Sequence, residues 1–179
     1  MPAQPDSPTA LVIPVPETEP VVGRWRERYD ASAAQGMPAH VTVLYPFLTQ
    51  AQITTQVTDQ LTQLFARQAG FTLTFQDCAR FPAGVLYLAP HPAGPLRALT
   101  EAVAAAWPQT PPYGGQFKEI IPHLTVAAGT DTEVLDRIEE QIAAMLPLTA
   151  TVTQAWLYAP DGSHWMPRLR LPLGTSAVS

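Results

Sequence analysis

The chain has 179 residues, 46% of them hydrophobic and 14% charged, with a net charge of −5. That is enough apolar material to bury the core of one compact domain. Nine arginines and the single Lys118 form no basic run, which argues against extended binding to duplex DNA, where many cation–phosphate contacts are needed.

Met1–Ala10 is rich in proline and carries Asp6 instead of a basic n-region, so residues 1–8 read as a flexible leader and not as a signal peptide. Residues 10–16 (ALVIPVP) then read as a strand stopped by prolines. Residues 19–34 read as a helix with Pro20 near its start, where the missing N–H costs nothing. A short apolar strand over 39–44 follows. Residues 49–69 form a helical pattern with Ile53, Val57, Leu61, Leu64 and Phe65 on one side. The stretches 71–81 and 84–89 read as paired strands joined by Pro82-Ala83-Gly84. A helix over 95–107, a strand over 120–127 and a helix over 131–146 come next. The last two strands, 148–158 and 165–173, flank the turn Pro160-Asp161-Gly162.

This order contains an imperfect repeat, with units of roughly 11–85 and 86–173 inside one domain spanning 9–175. Val12–Pro16 matches Leu86–Pro90, Pro38–Val43 matches Ile121–Val126, and Phe71–Phe75 matches Leu148–Val152. The expected fold is α+β, a duplicated lobe whose halves sit face to face so that equivalent strands meet along one cleft.

The repeat carries one pattern that looks chemical. Pro38-Ala39-His40-Val41-Thr42-Val43 and Ile121-Pro122-His123-Leu124-Thr125-Val126 each contain His-x-Thr in an apolar strand. Side chains alternate along a strand, so His40 and Thr42 share one face and Val41 and Val43 the other; the same holds for His123 and Thr125. With four histidines and nineteen threonines in the chain, chance gives about 0.4 copies of His-x-Thr. Two copies at equivalent repeat positions point to a paired site. Two imidazoles can serve as base and acid on opposite sides of a phosphorus atom, while two hydroxyls donate to its non-bridging oxygens. The competing reading is a pair of hydrogen-bonded core histidines. No Asp, Glu or third His stands at a spacing that would complete a metal set.

These two segments, His40–Phe47 and Pro122–Val126, together with the closing Trp165…Leu171-Pro172-Leu173-Gly174, resemble the 2H phosphoesterase superfamily, specifically its 2′-5′ RNA ligase family, over nearly the whole chain. The resemblance implies a bilobal fold with two antiparallel sheets flanking a central cleft and helices packed outside, and a 2′,3′-cyclic phosphodiesterase with weak 2′-5′ RNA ligation in some members. It implies His40 and His123 as the catalytic pair and Thr42 and Thr125 as the phosphate-binding pair. By analogy with RNA-acting members, His123 would activate water and His40 would protonate the 3′ leaving oxygen. No metal or cofactor is expected, and in the absence of G-x-x-x-x-G-K-[ST] no ATP-driven ligation is expected. RNA-acting members often carry an arginine just after the second motif, where this chain has Ala127 and Ala128, which moves weight toward a small cyclic nucleotide.

The expected partner is a nucleotide or RNA terminus carrying a cyclic phosphate, bound by a monomer in the cytoplasm, with no duplex DNA and no membrane. No apolar run approaches the ~20 residues of a bilayer span. A reading from another class is a nucleotide- or RNA-end-binding module with little or no turnover. Residues 108–119 (PQTPPYGGQFKE) read as a loop leading into the second motif, with Tyr113, Phe117 and Lys118 as substrate-binding candidates. Tyr45, out of phase with His40 and Thr42, reads as core. His91 and His164 read as solvated turn residues, Arg24, Arg26 and Arg28 as a solvated helix face, and the lone Cys78 as a structural thiol. Trp156 and Tyr158 share a strand face that fits either core or cleft.

Overall fold

In the computed structural model, which describes residues 5–175, short alternating segments form eight strands and prolines and polar caps delimit five helices. The strands are β1 (Ala10–Pro14), β2 (His40–Leu44), β3 (Phe71–Phe81), β4 (Val85–His91), β5 (Leu124–Ala127), β6 (Leu148–Val152), β7 (Gln154–Asp161) and β8 (His164–Pro172). The helices are α1 (Glu19–Tyr29), α2 (Ala31–Ala34), α3 (Thr55–Ala66), α4 (Gly94–Ala106) and α5 (Thr132–Ala143). The fold is α+β: one antiparallel sheet has the order β2-β1-β7-β8 and the other β5-β4-β3-β6.

Both sheets turn their apolar faces to one continuous core. Leu11, Ile13, Val41, Val43, Ala155, Leu157 and Leu171 enter it from the first sheet, and Leu73, Phe75, Leu86, Leu88, Leu124 and Val126 from the second. The alternate residues of each strand therefore line the opposite faces. The two motif strands, β2 and β5, are edge strands of different sheets and lie beside each other. Each is braced by a helix from the other half of the chain. Helix α1 packs on β5, where the Ala128 N–H donates to Tyr29 O at 2.8 Å. Helix α4 packs on β2, where the Thr100 hydroxyl donates to Val43 O at 2.7 Å.

Several elements depart from the sequence reading. The helix expected over 19–34 breaks at Asp30, whose backbone is extended and whose side chain caps α2 by accepting from Ser32 N. The helix expected over 49–69 is a 3₁₀ turn at Gln50–Gln52 followed by α3, capped by the Thr54 hydroxyl. The strand expected over 148–158 is two strands in different sheets, divided at Thr153. Phe71–Phe75 and Leu148–Val152, matched as repeat equivalents, are hydrogen-bonded neighbours in one sheet. Of the N-terminal segment expected to be flexible, residues 1–4 lie outside the described residues; from Pro5 the chain is tied to the 49–51 turn, with Ala51 N–H donating to Pro5 O and Gln50 N–H to Ser7 O. No helix is long and apolar enough to cross a membrane among the described residues.

Candidate active site

His40 opens β2 and His123 stands immediately before β5, so the second imidazole sits at the mouth of its strand and not within it. Both side chains, with Thr42 and Thr125, lie on the faces turned away from the core, and all four are half-buried. Each histidine is fixed by its own chain. His40 Nδ1 lies 2.7 Å from Pro38 O and His123 Nδ1 lies 2.8 Å from Ile121 O. A carbonyl can only accept, so Nδ1 carries the proton in both rings and Nε2 keeps its lone pair. The equivalent i−2 carbonyl contact in both motifs sets the same tautomer twice.

Burial disfavours the charged form of both rings. Burial, the nearby Arg26 cation and His123 hold His40 down to about 4, against the raising effect of Pro38 O and Asp30. Burial also lowers His123, which has no such cation acting on it. His40 feels the charge of His123, so the two rings stand within electrostatic reach.

Arg26 corrects the sequence reading. It does not lie on a solvated face: it is 2% exposed, beneath the loop that carries His40. Its guanidinium donates to Asp30 Oδ2 at 2.9 and 3.1 Å and to Met37 O at 3.2 Å from two nitrogens. Glu19, 3.8 Å from the same guanidinium, accepts from Ala39 N at 2.6 Å. The backbone on the N-terminal side of His40 is thus held from Met37 to Ala39 by an ionic cluster centred on the buried Arg26.

On the other wall His123 stands among aromatic rings. Phe81 and Tyr87 stack on each other at 4.4 Å and meet His123 edge-on at 4.9 and 5.6 Å. Neither was singled out in the sequence, though Tyr87 is the register partner of Thr125 and so had to share its face.

The 108–119 loop delivers one of its three candidates to the site. The Tyr113 ring stacks on His123 with centroids 6.4 Å apart, and its hydroxyl lies close enough to Thr42 to feel that side chain. Tyr113 therefore joins the two motifs. Its backbone adopts φ 51°, an unusual conformation for a residue with a Cβ, and its N–H donates to Tyr45 O at 2.7 Å. Gly114 and Gly115, at φ 64° and 77°, continue the left-handed stretch that only glycine takes readily. Phe117 meets Tyr113 edge-on at 5.8 Å but is 65% exposed, and Lys118 is exposed on the same loop.

The remaining candidates stay outside. Tyr45, expected in the core, is exposed beyond the end of β2 and packs edge-on against Trp165. His91 and His164 are exposed, as expected. Cys78 is half-buried, and burial with Glu139 and Asp77 nearby pushes its thiol up to about 11, which fits a structural and unreactive sulfur. Trp156 and Tyr158 face away from the main core, packed with Ala10, Val12 and Met37 on the same side of the first sheet as His40 and Thr42. Among the described residues, no three His, Cys, Asp or Glu side chains are gathered as a metal set.

Comparison with known proteins extends the geometry. E. coli LigT in complex with 3′-AMP superposes with a TM-score of 0.59 at 22% identity, over 93% of this chain and 98% of LigT. A crystal structure described as a phosphoesterase gives 0.57 at 20% identity over 95% and 99%. The protein TT0787 of Thermus thermophilus gives 0.55 at 15% identity over 94% and 99%. No curated protein sequence matches. At these identities the solved structures establish the shared duplicated fold. The profile of the 2′-5′ RNA ligase superfamily matches residues 14–164, a span that includes both His-x-Thr segments, β2 to β7 and every helix. The chain belongs to the 2′-5′ RNA ligase superfamily of 2H phosphoesterases.

Proposed function

We propose that this chain is a phosphodiesterase that hydrolyses the 2′,3′-cyclic phosphate of a nucleotide or RNA terminus, with a little 2′-5′ ligation as the same step run backward. One observation carries the reading: two imidazoles fixed through Nδ1, each with a free Nε2 and a threonine hydroxyl beside it, stand at the starts of the adjacent edge strands of two sheets. The complex of LigT with 3′-AMP supports a nucleotide as the ligand.

In the reaction one imidazole removes a proton from water as its oxygen bonds to phosphorus. The bond to the 2′ or 3′ oxygen breaks, and the other ring, which enters the reaction as imidazolium stabilised by the anionic substrate, gives its Nε2 proton to that oxygen to leave a phosphomonoester. Thr42 and Thr125 donate to the non-bridging oxygens, where charge accumulates. Tyr113, whose hydroxyl lies beside Thr42, is a further donor to the same phosphate, with Phe117 and Lys118 following it on the loop. A 2′-phosphate product assigns water activation to His123 and a 3′-phosphate assigns it to His40.

The test is hydrolysis of a panel of 2′,3′-cyclic nucleotides and a short RNA with a cyclic phosphate end, in EDTA, with product identification. No turnover on any substrate, with binding retained, would replace this reading by that of a binding module.

The pH dependence has a definite sign. Both histidines sit below the ordinary 6.5 in the free chain, so the acid loses its proton early as pH rises. The alkaline limb of kcat/KM, which reports the free enzyme, is expected below pH 6.5. The bound anion stabilises the imidazolium, so the limb of kcat lies at higher pH than that of kcat/KM. An alkaline limb of kcat/KM above pH 7 would contradict this.

Tyr113 is tested by two substitutions. Tyr113→Phe keeps the ring on His123 and removes only the hydroxyl, whereas Tyr113→Ala removes both. An aromatic pair contributes about 0.5–1.5 kcal/mol, so Tyr113→Ala should lower kcat/KM up to about tenfold further than Tyr113→Phe. Equal losses would remove the ring from the account.

A further inference from the structure

The two walls of the cleft differ in what they offer beyond the reacting phosphate. In the second sheet the row that starts at Thr125 continues to Tyr87 and Ala79 and carries no charge. In the first sheet the row that starts at Thr42 continues through Val12 and Trp156 to Arg170. Directly opposed residues of antiparallel strands share a face, so these four stand on the side away from the main core. Leu157, Leu169 and Leu171, their neighbours in sequence, pack against that core and confirm the phase.

Trp156 is half-buried. It packs against the cluster of Ala10, Val12, Met37 and Tyr158, which holds the indole in place and leaves part of it accessible. Arg170 is exposed and makes no hydrogen bond or ion pair among the described residues, unlike Arg26, Arg80 and Arg168, which pair with Asp30, Asp136 and Asp161. Strands about 4.8 Å apart put its backbone three steps, about 14 Å, from that of Thr42. An arginine arm reaching back along the row closes much of that gap, to a separation on the scale of one nucleotide. A fixed indole between a phosphate-holding hydroxyl and a free guanidinium has the order phosphate, base, phosphate.

Resting on the hydrolase reading above, we propose that the first-sheet wall is a nucleotide subsite, with the base stacked on Trp156 and a second phosphate, one nucleotide from the reacting one, on Arg170. The substrate class is then a nucleotide carrying phosphate on both sides of its sugar. That second phosphate is either a terminal 5′-phosphate or the next phosphodiester of an RNA strand. Arg170 supplies the positive group that Ala127 and Ala128 do not, from the opposite sheet.

The experiment is calorimetric binding of product-like ligands that need no turnover: adenosine 3′-monophosphate, adenosine 3′,5′-bisphosphate, and a dinucleotide ending in a 3′-phosphate. For the unmodified protein the second phosphate should tighten binding about tenfold, as expected of one charge-assisted contact. In Arg170→Ala the ratio of the two adenosine affinities should fall to about 1, and Arg170→Lys should keep part of it. Trp156→Ala should weaken both adenosine ligands together. The preference should also shrink as salt is raised, because the contact is exposed. A ratio near 1 in the unmodified protein, or one unchanged in Arg170→Ala, overturns the proposal. If the bisphosphate gains more than the dinucleotide the natural ligand is a small 5′-phosphorylated nucleotide; the reverse order makes it an RNA strand. Because binding is measured without catalysis, an intact ratio alongside absent hydrolysis would sink only the hydrolase reading.

Discussion

Alanine in place of either His40 or His123 is expected to lower kcat on a 2′,3′-cyclic nucleotide by about 10³–10⁴-fold, with a much smaller change in KM. General acid or base catalysis by one positioned group contributes about 10²–10⁴-fold, and here each imidazole is locked by its own chain through Nδ1. The locked geometry puts nearly all of that benefit into the transition state, so kcat should suffer more than binding. The double variant should be little worse than the single ones, because a base without its acid has already lost the concerted transfer. Progress curves under saturating substrate measure this directly. A single variant that keeps more than a tenth of the activity would show that its imidazole carries no proton. Neither substitution should unfold the protein, since both side chains open onto the cleft and are absent from the core.

Arg26 should show the opposite pattern, a large loss of stability. Arg26→Met removes a guanidinium that is 2% exposed and leaves the Asp30 carboxylate, itself mostly buried, without its partner. It also strips Met37 O of both its donors from that side chain. Breaking one side of a buried ion pair costs about 3–5 kcal/mol, largely because the remaining charge is uncompensated. The double variant Arg26→Met with Asp30→Leu should recover much of the loss, because an apolar pair of similar volume carries no stranded charge. Denaturant unfolding with unchanged slope is the appropriate measurement. A loss under about 1 kcal/mol for Arg26→Met would mean that water enters and solvates Asp30. NMR titration of His40 gives a second readout: with the cation gone and Asp30 still charged, its proton affinity should rise toward the ordinary value.

The parts of this site that could be read from the sequence are those that depend on strand alternation. His40 with Thr42, and His123 with Thr125, had to share faces once their segments were strands, and the apolar residues between them had to face inward. The α+β class followed from the repeated order of strands and helices, whereas the two antiparallel sheets came from the family resemblance and not from the alternation. What was not legible depends on which element meets which. Arg26 sits among charged neighbours on α1, and nothing in that helix tells that Met37 O and Asp30 will close over it. Tyr45 alternates as a core residue would, but β2 ends at Leu44 and the chain turns before its ring can be buried. The division between β6 and β7 did leave a trace. The buried positions run 150 and 152, then 155, 157 and 159, so the alternation slips by one at Thr153 where the chain passes from one sheet to the other. The likeness between Phe71–Phe75 and Leu148–Val152 came from two strands being partners in one sheet, which share a composition because they share an environment.

The first sheet is closed by both ends of the chain: β1 and β2 come from the first 44 residues, but β1 takes its second neighbour, β7, from residues 154–161 and β8 follows at 164–172. During synthesis His40 is therefore made early and waits for its wall. Until the last hairpin has left the ribosome, β1 exposes an unpaired edge, Val12 has no Trp156 beside it, and the cleft has one side only. A nascent chain stopped after α5 would hold every catalytic residue proposed for this site and still lack the surface that receives a substrate.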